Sequence, residues 1–595
     1  MNNIELQETA EVGSSRLSQE KAPSYYPAGE TPNLSHSSEK KTNPTASSIQ
    51  NSSNDEDDDE SFTNSTAAQA YEHQKTQRQL KSRHIQLIAI GGSIGTGLFV
   101  TIATGLTRAG PLGLLIAVVF WTTVILALTS MVAEMVCYMP VASPFISMSG
   151  RVVDEAYEVT AGWNFFLMEA CYIPFEITAV NGMIHFWRDD YSPAITLCIQ
   201  IVIYTGINVF AVKWYGESEF WLSIGKLVLC IGLLIFTLVS MCGGNPSHDA
   251  FGFRYWKNPG LFGTYVTTGG MGRFQGWLAA LSNACFFVVG PEYMSMAAGE
   301  CENPRKVLPV AYKTVIYRLA LFYIGGALSV GILVAYNDPV LLEKLTSSSS
   351  NSAASPYVIA MQNMGIKVLP HIVNGLVLSA AFSAGNSYLY CSSRSLYALA
   401  LKGYAPKVLR AVNGQGVPYY CVAIGFCFSC LALLQLGSSA SVVLDWIVNL
   451  CTGAQMLNYA HMCVTYLSFY RAMKAQGIDR NGLPYRAWFQ PYSSYYATFF
   501  IWIMVFILGY TVFMPGWWSV ENFLFSYLMI FINIAIFVFW KVLKRTKFIK
   551  PEEVDFVWGL DEIEEHEYEF YAKLEAEGKS GQPETWWSKI MVWLF

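Results

Sequence analysis

Five ionisable side chains stand inside runs of apolar residues: Glu134, Glu169, Glu176, Lys226 and Glu292. An acid or lysine at a bilayer centre costs at least about 2.5 kcal/mol on insertion scales, so each is a functional candidate by default. Glu169 and Glu176 lie in WNFFLMEACYIPFEIT, Trp163–Thr178. Their spacing of seven projects them to nearly the same helix face, two turns apart. Pro174 between them is expected to kink the helix. Glu292 follows FVVGP, where Pro291 lacks an N–H and should break the helix near Gly290. Lys226 is embedded in GESEFWLSIGKLVL, and Glu134 closes a run in AEMVCYMP. Glu134 reads as a cap or loop partner at the boundary. For the others the competing reading is a structural ion pair, which Lys226 would satisfy with an acid of a neighbouring helix. The acids bias a site toward cations. Trp163, Tyr172 and Tyr293, near them in sequence, can stack on one, and a desolvated quaternary ammonium over an aromatic face gains roughly 2 kcal/mol. The chemistry is recognition of a cationic or zwitterionic amine: an amino acid, a betaine such as carnitine, or a polyamine. No metal-ligand cluster and no nucleophile–base pair is legible, and His84, His185, His371 and His461 are scattered singly. The expectation is no enzyme, no cofactor, no metal, no catalytic residue and no nucleic-acid partner.

Backbone groups supply the rest. The stretch IGGSIGTGLF, Ile90–Phe99, places Gly91, Gly92, Gly95 and Gly97 inside an apolar run. Each glycine costs a helix roughly 1 kcal/mol relative to alanine. In lipid, broken backbone survives only where it is buried or lines a cavity. Two half-helices meeting at the membrane midplane direct free N–H and C=O groups at a small charged solute. The alternative is that these glycines only let a neighbouring helix approach closely. A nucleotide-binding loop is not expected, because no strand precedes the stretch.

The elements that must position these groups follow from composition. Of 595 residues 53% are hydrophobic and 14% charged, and the apolar residues fall into runs of about 20, the length that spans a bilayer. Twelve runs lie near 84–105, 112–136, 161–185, 193–212, 219–241, 273–297, 314–336, 368–392, 418–436, 442–468, 494–513 and 521–541. The third, sixth and eighth carry polar residues and are the weakest by hydropathy. Basic residues alternate between loops, with Lys75 to Arg83, Arg151, Arg305, Arg394, Arg480 and Lys541 on one side. That asymmetry places both termini in the cytoplasm, which an even number of spans permits. Interruptions in the first and sixth runs point to a transport site between inverted repeats, pairing spans 1–5 with 6–10 and leaving two accessory. Residues 1–77 read as a disordered cytoplasmic tail, rich in Ser, Thr and Asn with the acidic run Asp55–Glu60. Residues 78–545 form the permeation domain and 546–595 a cytoplasmic C-terminal tail. Tail hydroxyls and Lys21, Lys40 and Lys41 are candidates for modification that controls turnover. Cys137, Cys171, Cys198, Cys230 and Cys285 lie in apolar runs and read as buried thiols, not as a disulfide or zinc framework.

At this point the residues carry a resemblance. RHIQLIAIGGSIGTGLF (Arg83–Phe99), YGESEFWLSIGK (Tyr215–Lys226), GECENPRKVLPVAYK (Gly299–Lys313), AYNDP (Ala335–Pro339) and CSSRSLYALALKGYAPK (Cys391–Lys407) resemble fungal plasma-membrane amino-acid permeases of the amino acid–polyamine–organocation superfamily. AEMVCYMPVASPF and IPFEITAVNGMIHFWRDDYS are most similar to its broad-range yeast branch associated with carnitine and polyamine uptake. The resemblance implies a twelve-helix, all-α, leucine-transporter-like fold: a five-plus-five inverted repeat plus two helices. It implies that Ser93, Gly95, Thr96 and Gly97 hold a substrate carboxylate on backbone N–H groups. Phe287 to Glu292, with Gly290 between them, would offer carbonyls to the ammonium, and Phe287 resembles the family's gate. Glu176 and Glu292 resemble acids that face basic substrates. Lys226 matches the lysine that replaces a sodium ion in proton-coupled relatives. Pro291 departs from the small hydroxyl residue common at its position. The implied activity is proton-coupled import of amino acids, carnitine or polyamines at the plasma membrane, with trafficking or ubiquitylation factors as partners at the tails. The alternative is a permease-like sensor of such amines that signals through its tails, one end of which, WWSKIMVWLF, is amphipathic.

Overall fold

The computed structural model describes residues 94–576 apart from 142, 189, 211, 347–354, 414–415, 438–439 and 558. The expected N-terminal tail, Ser93 with its neighbouring glycines, and WWSKIMVWLF lie outside the described residues. Regular structure among the described residues is helical throughout. The main helices are α1 (Gly97–Tyr138), α2 (Pro144–Val152), α3 (Glu155–Ile184), α4 (Pro193–Phe210), α5 (Val212–Met241), α6 (Gly269–Phe287) and α7 (Glu292–Met296). They continue with α8 (Pro304–Leu333), α9 (Leu369–Leu401), α10 (Tyr419–Leu436), α11 (Ala440–Ala475), α12 (Tyr492–Ile507), α13 (Val520–Lys544) and α14 (Leu560–Ala576).

Six segments are long and apolar enough to cross a membrane by length and composition: α1, Glu219–Met241 of α5, α4, α8, α10 and α13. Those of α4, α5, α10 and α13 bury 33% or less of their most apolar stretch, against 56% for α1 and α8. Ile199, Val202, Leu238 and Val538 therefore face outward. The third, sixth and eighth runs, weakest by hydropathy, are instead central: α3 packs along α9 and α11, and α6 along α1. Polar residues lie inside and apolar ones outside, the pattern of a multi-pass membrane protein. Of the thiols expected to be buried, Cys198 is exposed, because it lies on α4 in this outer shell. Cys427 and Cys430, spaced C-x-x-C on α10, are free thiols like the other cysteines.

The first two expected spans are both parts of α1, which turns at Gly110 with φ of 76°. A Cβ there would lie 2.6 Å from the Gly263 nitrogen. The loop before α6 clips the turn: the Gly263 N–H donates to the Ala109 carbonyl at 2.8 Å, and the Leu112 N–H to that of Leu261 at 3.1 Å. Pro174 does not interrupt α3, which is helical from end to end.

The break between α6 and α7 falls where glycine and proline put it, and the described chain enters α1 at the place expected for the first break. Ile94 and Gly95 are non-helical, and α1 opens on a π-turn, Gly97–Thr101. α6 ends at Phe287 and α7 restarts at Glu292, with Val288 to Pro291 between them. The breaks touch: a Cβ on Gly97 would lie 2.7 Å from the Phe287 Cβ and 3.3 Å from its Cα. Only glycine fits there without moving backbone.

At one end of the bundle Glu134 is fully buried. It accepts from Arg480 Nε at 2.9 Å, Arg480 Nη2 at 2.7 Å and the Ala487 N–H at 2.7 Å. Its partners are thus the loop after α11. Packing continues past residue 545 into the expected C-terminal tail: Val554 and Phe556 are buried, and Tyr138 Oη donates to the Phe556 carbonyl at 3.2 Å. The α14 helix reaches back to the segment before α8 through Asn303 Nδ2 to Tyr571 Oη, 3.1 Å, and Arg305 Nη1 to Glu567 Oε2, 3.3 Å.

Two stability predictions follow from this packing. Arg480→Ala leaves a buried carboxylate uncompensated and is expected to cost about 3–5 kcal/mol, read as a lower unfolding midpoint in detergent; an unchanged midpoint would show that the pair is solvated. Gly97→Ala overpacks the contact with Phe287 and is expected to cost about 1–3 kcal/mol. Gly95→Ala, whose new methyl would meet Glu176 Oε1 at an ordinary 3.5 Å, is expected to keep the wild-type midpoint in the same measurement.

Candidate functional site

The two interruptions, α3, α9 and α11 enclose a pocket of about 20 Å³, room for little more than a water molecule. Of the residues expected at the site, Gly95, Gly97, Glu176, Phe287 and Glu292 line it. Thr96 is joined to it through a hydrogen bond from its hydroxyl to Glu176 Oε2. Gly290 stands behind the lining, where a Cβ would lie 2.7 Å from Ile125 Cγ2. Ser93 lies outside the described residues. Lys226 does not line the pocket.

Each acid is tied to a helix break. Glu176, 1% exposed on α3, accepts from Thr96 at the start of α1. Glu292, 1% exposed, opens α7; its Oε2 accepts from the Gly290 N–H at 3.4 Å, within the break. Its Oε1 accepts from Tyr459 Oη at 3.0 Å. The chain of bonds continues from Gln455 Nε2 to Tyr459 Oη at 2.7 Å, and from Tyr172 Oη to Gln455 Oε1. Tyr172 stacks on Tyr388, ring centroids 4.9 Å apart. Two carboxylates, three tyrosines (Tyr172, Tyr293 and Tyr388) and three phenylalanines (Phe175, Phe286 and Phe287) therefore line one small volume.

Glu169 is buried beside Tyr293, within Coulomb reach of Glu292, but does not line the pocket. The pocket runs along two turns of α3, lined by Met168, Tyr172 and Glu176, and Glu169, one residue past Met168, is turned about 100° from it around the helix. Trp163 is farther still along α3. Its Nε1 donates to the Tyr404 carbonyl at 3.1 Å, and its ring packs edge-on against Phe166. Lys226, 1% exposed, donates to Glu219 Oε1 at 3.5 Å on its own helix, and Glu219 Oε2 accepts from Ser383 Oγ at 2.7 Å. Among the described residues its salt-bridge acid is on its own helix, α5, while its charge reaches Glu176 through space.

Sequence reasoning passed over Tyr388 and Gln455. Gln455 carried a usable signal, an uncharged polar group within the apolar run 442–468. Tyr388 carried none, since aromatics are common in every span.

A sequence model of the amino acid permease family matches residues 84–552. The chain is 49% identical over 504 residues to the general amino acid permease AGP2 of Saccharomyces cerevisiae, covering 83% of this chain and 84% of that one. It is 38% identical over 527 residues to the proline-specific permease of Emericella nidulans, covering 88% and 94%. It is 39% identical over 498 residues to the lysine-specific permease of S. cerevisiae, covering 83% and 80%. Among solved structures, a manganese transporter of Eremococcus coleocola is similar with a TM-score of 0.49 and 14% identity, covering 81% of this chain and 95% of that one. A buried acidic pocket beside the α6–α7 break, and relatives this similar over most of their length, lead to one conclusion: the chain belongs to the amino acid permease family and is a membrane permease, not an enzyme.

Proposed function

We propose that this permease imports amino acids and related amines, carnitine and polyamines among them, across the plasma membrane by proton-coupled alternating access. The observation that carries the reading is the placement of Glu176 and Glu292 on one closed pocket between two helix breaks. Twelve crossings in a five-plus-five repeat, both termini cytoplasmic, is the arrangement that the spacing of breaks and basic loops favours. In it, free N–H groups at the start of α1 bind the substrate carboxylate, with Ser93, Gly95, Thr96 and Gly97 as the cradle. The carbonyl end of α6, from Phe287 to Gly290, faces the ammonium. Glu176 and Glu292 add negative charge, and Tyr172, Tyr293 and Tyr388 supply π-faces for a cation. A relative named as lysine-specific and another named as a basic amino-acid permease agree with that sign. Relatives named for proline and for dicarboxylic amino acids put the discrimination in a few side chains rather than in the scaffold. Lys226 is assigned the proton-coupling role because its charge reaches Glu176, which holds the start of α1. Trafficking or ubiquitylation factors are the partners assigned to the tails.

The test is uptake into vesicles containing only this protein, using labelled carnitine, spermidine and a panel of amino acids, with and without an inward proton gradient. Accumulation is expected to follow the gradient and to be lost in Lys226→Ala. Gradient-independent accumulation would remove the proton-coupling assignment, and binding without accumulation would favour the sensor. In the same vesicles Glu176→Gln and Glu292→Gln are each expected to weaken the preferred substrate by at least about tenfold, roughly 1.4 kcal/mol. Uptake of every amine at wild-type rates in both variants would move the binding site elsewhere.

A further inference from the structure

Lys226 stands within reach of two acids. Its side chain is buried in α5, and its charge reaches Glu176, which lines the central pocket. The second acid is Glu219, outside the lining of that pocket and seven residues earlier on α5, where the apolar stretch of the helix begins. Lys226 Nζ and Glu219 Oε1 are 3.5 Å apart. A tight charge-assisted pair closes to about 2.7–2.9 Å, so this contact is loose. The Glu219 carboxylate is held by a different helix: its Oε2 accepts from Ser383 Oγ of α9 at 2.7 Å. The acid is thus fixed between α5 and α9, while the flexible stem of a lysine leaves its ammonium able to move. Exposure differs too, since the Lys226 side chain is fully enclosed and that of Glu219 is 14% exposed. With Glu176 buried as well, Glu219 is the member of the three that opens outward, at the boundary of the apolar stretch. Of the other titratable groups nearby, Cys391 of α9 lies within Coulomb reach of Glu219, and Tyr204 of α4 within reach of Glu176. Among the described residues α8, which also packs on α5, gives Glu219 no ionic partner.

We propose that Glu219 is a proton-relay residue: it takes the proton of Lys226 and passes it to water at the start of the apolar stretch, with Ser383 as the residue that positions it. The proposal rests on the reading of Lys226 as the proton-coupling group and names the partner of that group. In the relay one Nζ–H bond of Lys226 breaks, its electron pair stays on the nitrogen, and the proton bonds to Glu219 Oε1. A neutral amine then stands beside a neutral carboxylic acid. A water molecule takes the proton from the acid, and Glu219 is a carboxylate again; nothing is oxidised or reduced. In a dry setting the cost of removing water from two charges offsets much of their attraction, so the ionic and the neutral pair lie close enough in free energy to exchange. A substrate ammonium arriving at Glu176 weakens the attraction that keeps Lys226 charged, which ties the release of its proton to the loading of the pocket.

The test uses the full chain in vesicles with labelled lysine, proline, carnitine and spermidine, each followed in two modes. Net accumulation under an inward proton gradient needs the relay. Exchange of labelled for unlabelled solute at equal pH does not, because the carrier returns loaded and releases no proton. Glu219→Gln is expected to lose gradient-driven accumulation and to keep exchange near the wild-type rate. Glu219→Asp retains an acid and is expected to restore accumulation in part, and Ser383→Ala to lower accumulation several-fold with exchange retained. Wild-type accumulation in Glu219→Gln would overturn the relay. So would an equal loss of accumulation and exchange, which marks a purely structural pair. If Glu219→Gln does not fold, Glu219→Asp and Ser383→Ala carry the same comparison, and the relay falls if neither slows accumulation more than exchange. Lys226→Ala separates the two readings. Accumulation that survives it removes the coupling role of Lys226 itself, whereas accumulation lost there but intact in Glu219→Gln removes only the relay.

Discussion

A helix that stops inside a membrane leaves N–H and C=O groups where no water can satisfy them, and the rest of this structure depends on how that is met. Here two carboxylates meet it. Glu176 reaches from α3 to Thr96, where α1 begins, and Glu292 folds back on the Gly290 N–H while accepting from Tyr459 of α11. Each acid therefore fastens a broken segment to an unbroken central helix. Drying a carboxylate costs several kcal/mol, so the hydrogen bonds made at the breaks also lower the cost of keeping these charges inside. The acids and the interruptions are two halves of one arrangement: either without the other would leave polar groups stranded in lipid.

That arrangement explains which helices are central. α3 and α9 are too polar to be recognised as spans by hydropathy, yet they pack within the bundle, α3 against both α9 and α11. The outer helices carry the opposite composition and the opposite exposure. Glu134 follows the same logic at the bundle end, where Arg480 and the Ala487 N–H satisfy a carboxylate that no water reaches.

Much of this was legible in the residues. The break near Gly290 follows from proline chemistry, and the one at Gly95 from glycine density, because both act through local backbone geometry. Glu176 and Glu292 were marked by the cost of charge in an apolar run. What local rules miss is distance across the bundle. Periodicity put Glu169 on nearly the same face as Glu176, but the pocket is lined by its neighbour Met168 instead, a rotation of one residue that a seven-residue spacing does not resolve. Nearness in sequence put Trp163 with the acids, whereas its ring packs against Phe166 and Tyr404 farther down α3. Gln455 and Tyr388 come to the site from α11 and α9, which sequence order separates from α3 by more than 200 residues. The salt-bridge partner of Lys226 was sought on a neighbouring helix, though a seven-residue step along α5 already brings Glu219 beside it.

A central pocket of about 20 Å³ cannot admit an amino acid as it stands, so something must yield. Gly97 sits so close to Phe287 that an added methyl would meet its Cβ and Cα, which leaves that contact little room to yield. The side-chain bonds around them are the softer part. Thr96 to Glu176 and Tyr172 to Gln455 each join a helix that lines the pocket to another that does. Exchanging one hydrogen bond for another changes free energy by only about 0.5–1.5 kcal/mol net. The bond from the Thr96 hydroxyl to Glu176 is one such soft point, at the start of α1. Thr96 also borders a larger cavity beside the pocket, so this soft point stands on the partition between the large space and the small one, where yielding joins the two.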